Sequence, residues 1–103
     1  MNVLRLLPTL VLIVSPEVFA YDGIEADFTT CSQGNNKGEV VEACTRLIDN
    51  AVAENSVTGI FYGLRASNND DPVQNCIDAR KSLELAEDDA LKGLSQTLID
   101  TYC

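Results

Sequence analysis

The chain has 103 residues, of which 16 are acidic and 7 basic, so its formal net charge is −9, and it contains no histidine. The absence of histidine excludes Ser-His-Asp and Cys-His catalysis and removes the commonest transition-metal ligand. Because nucleic acids and anionic membranes are bound through lysine and arginine, the charge argues against both as partners. A partner that is selected by charge is therefore expected to be basic, and a purely solubilising role of the acidic surface is the alternative.

Residues 1–20 have the features of a secretory signal peptide. Arg5 lies in a short basic segment, an apolar stretch runs from Leu6 to Val14, and small side chains occupy the positions that a signal peptidase inspects. The apolar stretch of about nine residues is too short for a membrane span, which needs about twenty. We expect cleavage after Ala20, which leaves residues 21–103 as a single secreted or periplasmic domain.

All four cysteines, Cys31, Cys44, Cys76 and Cys103, lie in this domain. A small exported domain buries a limited core and often needs covalent cross-links, and an even number of cysteines favours two disulfides. Cys44 falls in an apolar helical stripe, so a buried free thiol is the alternative for it. No two cysteines have the Cys-x-x-Cys spacing of redox catalysts.

The N-terminal part of the domain predicts a short helix, a loop and a longer helix. Asp22 is expected to open the short helix, and the glycines and asparagines of residues 32–38 predict the loop. The longer helix spans residues 39–52. Its apolar stripe consists of Val40, Val41, Cys44, Leu47, Ile48, Ala51 and Val52. Glu42 stands one turn before Arg46, so a weak surface ion pair between them is expected.

The next two helices are each preceded by a capping residue. Ser56 is expected to cap the first of them. The apolar positions of that helix are Val57, Ile60, Phe61 and Leu64. Asp71 caps the second, and Pro72 takes its first position, where the missing N–H costs nothing. The apolar stripe of this second helix begins with Val73, Cys76 and Ile77.

Asp88 and Asp89 suit the N-terminal end of a last helix, where carboxylates complement the helix dipole. Its apolar face consists of Leu91, Leu94, Leu98 and Tyr102. The acidic pairs at 70–71 and 88–89 lack the spacing of a calcium loop, so capping is expected and no metal site. No segment alternates apolar and polar residues with a period of two. The sequence therefore predicts an all-α domain of one short and four main helices, with neighbours antiparallel.

Antiparallel hairpins make the disulfide pairing predictable, because residues about equally far from a turn lie opposite each other. Cys76 and Cys103 flank the turn near residue 88 with a mismatch of about 4.5 Å along the helix axis, which a disulfide tolerates. Cys31 and Cys44 face each other across the preceding short loop in the same way. We therefore predict the pairs Cys31–Cys44 and Cys76–Cys103 out of three possible connectivities.

Three segments together resemble the tetratricopeptide repeats of small exported bacterial proteins. They are ACTRLIDNA, GIFYGLRASN and DARKSLELAEDDA, within residues 39–103. The chain also resembles itself at a shift of about 35 residues, close to the period of about 34 residues in these repeats. At this shift Arg46 falls on Lys81 and Asp49 falls on Glu84.

The resemblance implies a pair of packed helices. In it, Tyr62 takes the aromatic site of the first helix and Ala66 is the small residue at which the two helices approach. Leu83 and Leu85 would be core positions of the second helix. The chain departs from the repeat pattern at Asn69, Asn75 and Glu87. One repeat with flanking half-repeats is fewer than the roughly three that a solenoid needs, so a degenerate repeat and a helical bundle both stay open.

Two groups of residues are candidates for partner binding. Glu39, Glu42 and Asp49 are expected on the solvent side of the longer N-terminal helix, where their carboxylates would steer a basic partner. Tyr62 and Arg65 can share one helix face, and aromatic and arginine side chains dominate interface hot spots. The alternative is that Tyr62 is a core residue and Arg65 pairs with a neighbouring acid.

These features predict an exported, non-enzymatic helical protein that needs no cofactor and binds another protein. A specific form of this hypothesis is an immunity protein or an inhibitor whose carboxylates cover a basic site on a toxin or hydrolase. A carrier that encloses a small ligand between its helices is the other alternative. The sequence assigns no catalytic residue to this chain.

Overall fold

The computed structural model describes residues 21–103, so the predicted signal peptide at residues 1–20 lies outside the described part of the chain. Residues 21–103 form five α-helices and no β-strand. The helices are α1 (Ile24–Gln33), α2 (Lys37–Asp49), α3 (Asn55–Asn68), α4 (Pro72–Leu85) and α5 (Asp89–Tyr102). Within this range, no helix is both long and apolar enough to cross a membrane. The predicted all-α class is confirmed.

Helices α4 and α5 begin where the sequence predicts. The Asp71 carboxylate accepts a hydrogen bond from the backbone N–H of Val73 at 3.0 Å, and Pro72 is the first residue of α4. The Asp88 carboxylate accepts one from the N–H of Leu91 at 2.8 Å and so caps α5. Each cap satisfies a backbone donor that has no partner inside its helix.

Two other predicted caps are wrong. α1 begins after Gly23, whose φ of 89° lies in the left-handed region that glycine tolerates best, so Asp22 is not the capping residue. α3 begins after Glu54, and Ser56 lies inside the helix. The Ser56 hydroxyl instead donates a hydrogen bond of 2.9 Å to Oε1 of Glu87, which ties the start of α3 to the loop before α5.

Helix α2 begins and ends earlier than the predicted helix over 39–52. Asn36 caps it by accepting a hydrogen bond from the N–H of Glu39 at 3.0 Å. The helix ends at Asp49, and Ala51 adopts a positive φ of 48°. A right-handed helix cannot continue through a residue in that conformation. The polar cap and the turn, rather than the apolar stripe, therefore determine the ends of α2.

Facing residues show that the helical hairpins are antiparallel. Asp27 faces Arg46 between α1 and α2, Arg65 faces Asp78 between α3 and α4, and Ser82 faces Ser95 between α4 and α5. Two disulfides, Cys31–Cys44 and Cys76–Cys103, have Cα–Cα distances of 4.9 Å each. Both predicted pairs are confirmed, and no cysteine of residues 21–103 is free.

Helices α1, α3 and α5 form a row, because α1 contacts α3 and α3 contacts α5. Helix α2 packs against both α1 and α3, and helix α4 packs against both α3 and α5. Each helix thus also contacts the next one in the sequence, as expected for short connecting loops.

The apolar core lies where α1, α2 and α3 meet. Its buried residues are Cys31, Val40, Ala43, Cys44, Leu47 and Phe61. The ring of Phe28 contacts that of Phe61 edge to face, with 5.4 Å between the ring centroids. Cys44 is thus half of a disulfide inside the core and not a free thiol.

Helix α4 is turned with its polar side inward. Its buried residues are Asn75, Asp78, Ala79 and Ser82. An apolar stripe normally faces the core, yet Val73 is 70% exposed and Ile77 is 53% exposed. Periodicity therefore predicts the existence of α4 correctly and its orientation wrongly.

Small residues let α3 and α4 approach closely. A Cβ atom at Gly59 would lie only 3.1 Å from Cβ of Leu85 and 3.2 Å from the backbone oxygen of Ser82. Ala66, the small residue that the repeat resemblance implies, is fully buried. Leu83 and Leu85, which the resemblance implies as core positions, are only half-buried. Small side chains rather than leucines thus form the centre of this hairpin.

Candidate functional site

The three carboxylates predicted to bind a partner lie together on the solvent side of α2. Glu39, Glu42 and Asp49 are exposed, whereas Val40 and Leu47 on the opposite side are buried. None of the three carboxylates forms an ion pair with another residue of the range 21–103. We call these three residues the carboxylate stripe.

Arg46 lies among these carboxylates but pairs with α1. Its guanidinium donates hydrogen bonds of 2.9 and 2.8 Å to the two carboxylate oxygens of Asp27, and the Tyr21 hydroxyl donates one of 2.6 Å to the same group. The predicted pair between Glu42 and Arg46 is therefore wrong. The buried Asp27 carboxylate accepts a bidentate, charge-assisted interaction, which is stronger than a single contact at the surface.

These contacts shift the pKa values of the Tyr21–Asp27–Arg46 cluster. The hydrogen bonds from Arg46 hold the pKa of Asp27 below its usual value, although burial opposes them. Burial and the hydrogen bond to Asp27 raise the pKa of Tyr21 to about 12. The hydrogen bonds to Asp27 also raise the pKa of Arg46. At neutral pH the cluster carries one negative and one positive charge, and the Glu42 carboxylate of the stripe adds to the raised pKa of Arg46.

Arg65 and Tyr62, the second predicted pair, belong to a network inside the chain. Arg65 donates two hydrogen bonds of 2.8 Å to the carboxylate of Asp78 and one of 3.0 Å to the hydroxyl of Thr45. Gln74 donates one of 2.9 Å to the same carboxylate. The guanidinium carbon of Arg65 lies 5.3 Å from the centroid of the Tyr62 ring. Arg65 thus pairs with a neighbouring acid, as the alternative interpretation has it.

The Arg65–Asp78 pair connects the helices around the inward side of α4. The Asp78 side chain is fully buried, and that of Arg65 is 14% exposed. A buried carboxylate is tolerated only when it is paired and hydrogen-bonded, and here both of its oxygens accept hydrogen bonds. The hydrogen bonds to Asp78 raise the pKa of Arg65. The sequence suggests that Arg65 pairs with an acid but does not identify Asp78, because that choice depends on which faces of α3 and α4 pack together.

A groove between α3 and α5 is the candidate site that sequence reasoning missed. It has a volume of about 240 Å³, and α4 forms its floor. Its apolar walls are Ile60, Leu64, Leu91, Leu94 and Leu98. Leu94 is 59% exposed and Ile60 is 38% exposed, so the apolar face predicted for α5 is only partly covered. We call this site the α3/α5 groove.

Small side chains line the floor of the α3/α5 groove. The buried hydroxyls of Ser82 and Ser95 form a hydrogen bond of 2.8 Å. A Cβ atom at Gly63 would lie 3.1 Å from Cδ1 of Leu98 and 3.3 Å from Oγ of Ser82. Gly59 and Gly63, one turn apart in α3, are the sequence signal that could have indicated a close helix approach here. The groove offers room for an apolar group and little for a polar one.

One end of the α3/α5 groove is bordered by charged residues. The lining residues Ser56 and Leu91 lie in the first turns of α3 and α5, and Glu54, Asp89 and Lys92 are exposed within two residues of them in the sequence. The hydrogen bond from Ser56 holds Glu87 at this end. A ligand whose apolar part enters the groove would therefore have the Glu87 carboxylate beside it.

Within residues 21–103, no group of three or more histidine, cysteine or acidic side chains is arranged to hold a metal ion. Of the two acidic pairs, Asp71 and Asp88 act as helix caps, as predicted. No family model, no curated protein and no solved structure matches the chain. The resemblance to tetratricopeptide repeats therefore stays a prediction, and function has to be argued from the geometry.

Proposed function

We propose that this chain is an exported, non-enzymatic protein that binds another protein, and that the α3/α5 groove takes an apolar side chain from a basic segment of the partner. The observation that carries the proposal is the groove, whose wall residue Leu94 is left 59% exposed. Apolar side chains gain about 1.5–3 kcal/mol when they are fully buried. A partner that covers Leu94 and Ile60 would recover part of that free energy.

The charge of the chain supports a basic partner. The formal net charge is −9, and the Ser56 hydroxyl holds Glu87 at one end of the groove. The carboxylate stripe on α2 adds to the negative potential around the molecule. Such a potential accelerates the encounter with a basic protein, whereas the apolar contact in the groove would slow dissociation.

The disulfides support the export that this proposal includes. Two disulfides indicate an oxidising environment, because thiols in the cytosol are kept reduced. Cleavage after Ala20 and a location outside the cell or in the periplasm fit this environment. An immunity protein or an inhibitor of a basic toxin or hydrolase is the specific form that the carboxylates favour.

Affinity capture from the periplasmic or secreted fraction of the native host tests the proposal. The wild-type protein is expected to retain a basic protein that salt releases, because charges contribute to the complex. Leu94→Asp places a charge in the groove and is expected to abolish retention. Gln96→Asp places the same charge on an exposed position of α5 that does not line the groove and should leave retention unchanged. Retention of the same partner by Leu94→Asp would refute the groove as its site.

The carboxylate stripe has a separate kinetic test on the same partner. Glu42→Gln combined with Asp49→Asn is expected to slow association and to weaken its salt dependence. The melting temperature should change little, since both side chains are exposed and unpaired among the described residues. An unchanged association rate that is also independent of salt would mean that the stripe only keeps the protein soluble.

A carrier of a small apolar ligand is the second candidate, because the walls of the groove are apolar. The volume of about 240 Å³ lies below the roughly 300–1,000 Å³ of most ligand pockets, so the groove suits one or two side chains better. Native mass spectrometry separates the two functions. A carrier would retain an apolar compound through purification, and Leu94→Asp would lose it.

A further inference from the structure

The outward side of α4 is an apolar surface without a partner in the described chain. Val73 and Ile77, four residues apart on one face, are 70% and 53% exposed. Residues at this spacing lie above one another on a helix and together form a ridge. Exposed apolar side chains that are contiguous mark interaction sites more often than single ones do.

The inward side of α4 explains why this helix does not turn its apolar ridge toward the core. Asp78 is bound by Arg65 and Gln74, the side-chain amide of Asn75 donates to the backbone oxygen of Asn69 at 2.7 Å, and Ser82 pairs with Ser95. Rotation of α4 would break these contacts and leave Arg65 and Ser95 on the neighbouring helices without their partners, at a cost of about 1–3 kcal/mol for a neutral group and more for a charged one. The polar network therefore holds Val73 and Ile77 at the surface.

Two shallow depressions flank the ridge. One, of about 460 Å³, contains Tyr102 and the disulfide Cys76–Cys103, and the other, of about 420 Å³, contains Tyr62 and Lys81. Ile77 and Arg80 line both depressions and thus form the ridge between them. A central apolar and arginine ridge with a tyrosine in each flank has the composition of a protein interface.

Basic side chains are frequent around this surface, although Asp78 and Glu84 line it too. Arg65, Arg80 and Lys81 are three of the seven basic residues of the sequence. Arg65 is paired with Asp78, and Lys81 lies 3.5 Å from Glu84. Arg80 is exposed and forms no ion pair within residues 21–103. A carboxylate is therefore the group that complements Arg80.

We propose that Val73, Ile77 and Arg80 form a second docking surface for an amphipathic helix of a partner protein, which covers Val73 and Ile77 with apolar side chains and places a carboxylate on Arg80. We call these three residues the α4 surface. They lie on the side of α4 away from Ser82 and Ala86, which line the α3/α5 groove. The inference therefore goes beyond the proposed function, since it concerns another face and a partner segment of opposite charge.

A second copy of the chain is a poorer occupant of the α4 surface. Two molecules that each carry a net charge of −9 repel each other more strongly than one such molecule repels a short helix with a few carboxylates. Of the carboxylates nearest in sequence to this ridge, Asp71 caps α4 and Asp78 is paired with Arg65. An amphipathic helix with carboxylates on its flank can cover Val73 and Ile77 and pair with Arg80.

Two synthetic amphipathic peptides of about 18 residues test the proposal. They share the same leucines and one tryptophan on the apolar side and carry either glutamates or lysines on the polar side. Because the chain contains no tryptophan, tryptophan fluorescence reports on the peptide alone. The glutamate peptide is expected to bind, and Ile77→Ser and Arg80→Gln are each expected to weaken binding about tenfold. Both substituted side chains are exposed, so circular dichroism should show that the variants stay folded.

Leu94→Ser in the α3/α5 groove is the matched control and should bind the glutamate peptide as the wild type does. The proposal is overturned if the glutamate peptide does not bind, or if neither Ile77→Ser nor Arg80→Gln changes its affinity. It is also overturned if sedimentation shows a dimer that Ile77→Ser dissociates, because a second copy would then cover this surface. Binding of the lysine peptide that only Leu94→Ser weakens would concern the groove and the proposed function.

Discussion

The α1–α2 and α4–α5 hairpins are closed by the same kind of bond, but the bond has different surroundings. Cys31 and Cys44 lie inside the apolar core and are 2% and 0% exposed. Cys103 lies at the surface, and Cys76 is half-buried. The N-terminal hairpin has an apolar core in addition to its disulfide. The C-terminal hairpin instead has a disulfide and contacts between small and polar residues such as Ser82 and Ser95.

This difference determines where apolar surface remains. Among residues 21–103, the exposed large apolar residues are Phe28, Ile60, Val73, Ile77 and Leu94, and all except Phe28 lie on α3, α4 or α5. Helices that are aligned by polar contacts and a covalent bond need not bury their leucines and isoleucines against each other. The C-terminal helices therefore leave apolar side chains exposed, and both proposed surfaces lie there.

Removal of each disulfide in turn gives the largest expected difference between the hairpins. The chain-entropy model predicts about 3 kcal/mol for the loop of 13 residues and about 3.5 kcal/mol for that of 27. Cys31→Ala with Cys44→Ala should nevertheless cost more, about 4–5 kcal/mol, because it also leaves a cavity in the core. Cys76→Ala with Cys103→Ala should cost only the loop entropy, because neither cysteine lies in the apolar core. Urea unfolding of the two double variants checks this order, and equal losses would contradict the difference between the surroundings.

The two arginine–aspartate pairs provide the next test. Arg65→Met leaves the fully buried Asp78 carboxylate without its cation and is expected to destabilise the protein by about 3–4 kcal/mol. Arg46→Met should have a smaller effect, because the Asp27 side chain is 10% exposed and still accepts the hydrogen bond from Tyr21, and water can replace the half-exposed Arg46. Thermal unfolding of both variants measures the contrast. If Arg46→Met were the more destabilising variant, the buried network around α4 would not be what holds that helix in place.

The pH dependence of stability should depend on two groups of the N-terminal hairpin, Asp27 and Tyr21. The folded-state pKa of Asp27 is lowered, so its contribution is present above the pKa of the unfolded state and is lost as the pH falls through the folded value. The folded-state pKa of Tyr21 is raised from 10.0 to about 12, so its contribution is present below pH 10 and is lost between pH 10 and about 12. Asp27→Asn should flatten the acid limb of a stability curve, and Tyr21→Phe should flatten the alkaline limb. Unchanged limbs would show that other groups control them.

Two glycine substitutions give the smallest expected effects, with opposite signs. A Cβ atom at Gly93 would meet nothing within 4 Å, so Gly93→Ala is expected to stabilise α5 by about 1 kcal/mol. Gly63→Ala should destabilise instead, since its Cβ would lie 3.1 Å from Cδ1 of Leu98 and 3.3 Å from Oγ of Ser82. Differential scanning calorimetry resolves both shifts. If Gly63→Ala were stabilising, Leu98 and Ser82 would have to move to make room for the added Cβ atom.

Local chemistry determined much of this fold, and sequence reasoning predicted those parts correctly. Periodicity indicated the helices, and Asp71 and Asp88 indicated where α4 and α5 begin, because a cap involves only residues within one turn. The disulfide pairing followed from distances along antiparallel helices. The exposure of Glu39, Glu42 and Asp49 also followed, since the stripe opposite them is strongly apolar. Each of these features depends on neighbours in the sequence or on a single hairpin.

Only the tertiary structure decided the orientation of α4, the partner of Arg46 and the α3/α5 groove. Periodicity depends on the positions of apolar residues along one helix. It does not show that Asp78 forms a buried ion pair with Arg65 on another helix. Arg46 is closer in sequence to Glu42, yet Asp27 on α1 accepts both of its hydrogen bonds. The groove exists because Gly63 and two serines bring three helices together while Leu94 stays outside. Contacts between distant helices decide which of several locally acceptable faces is buried, and residue spacing along one helix carries no information about them.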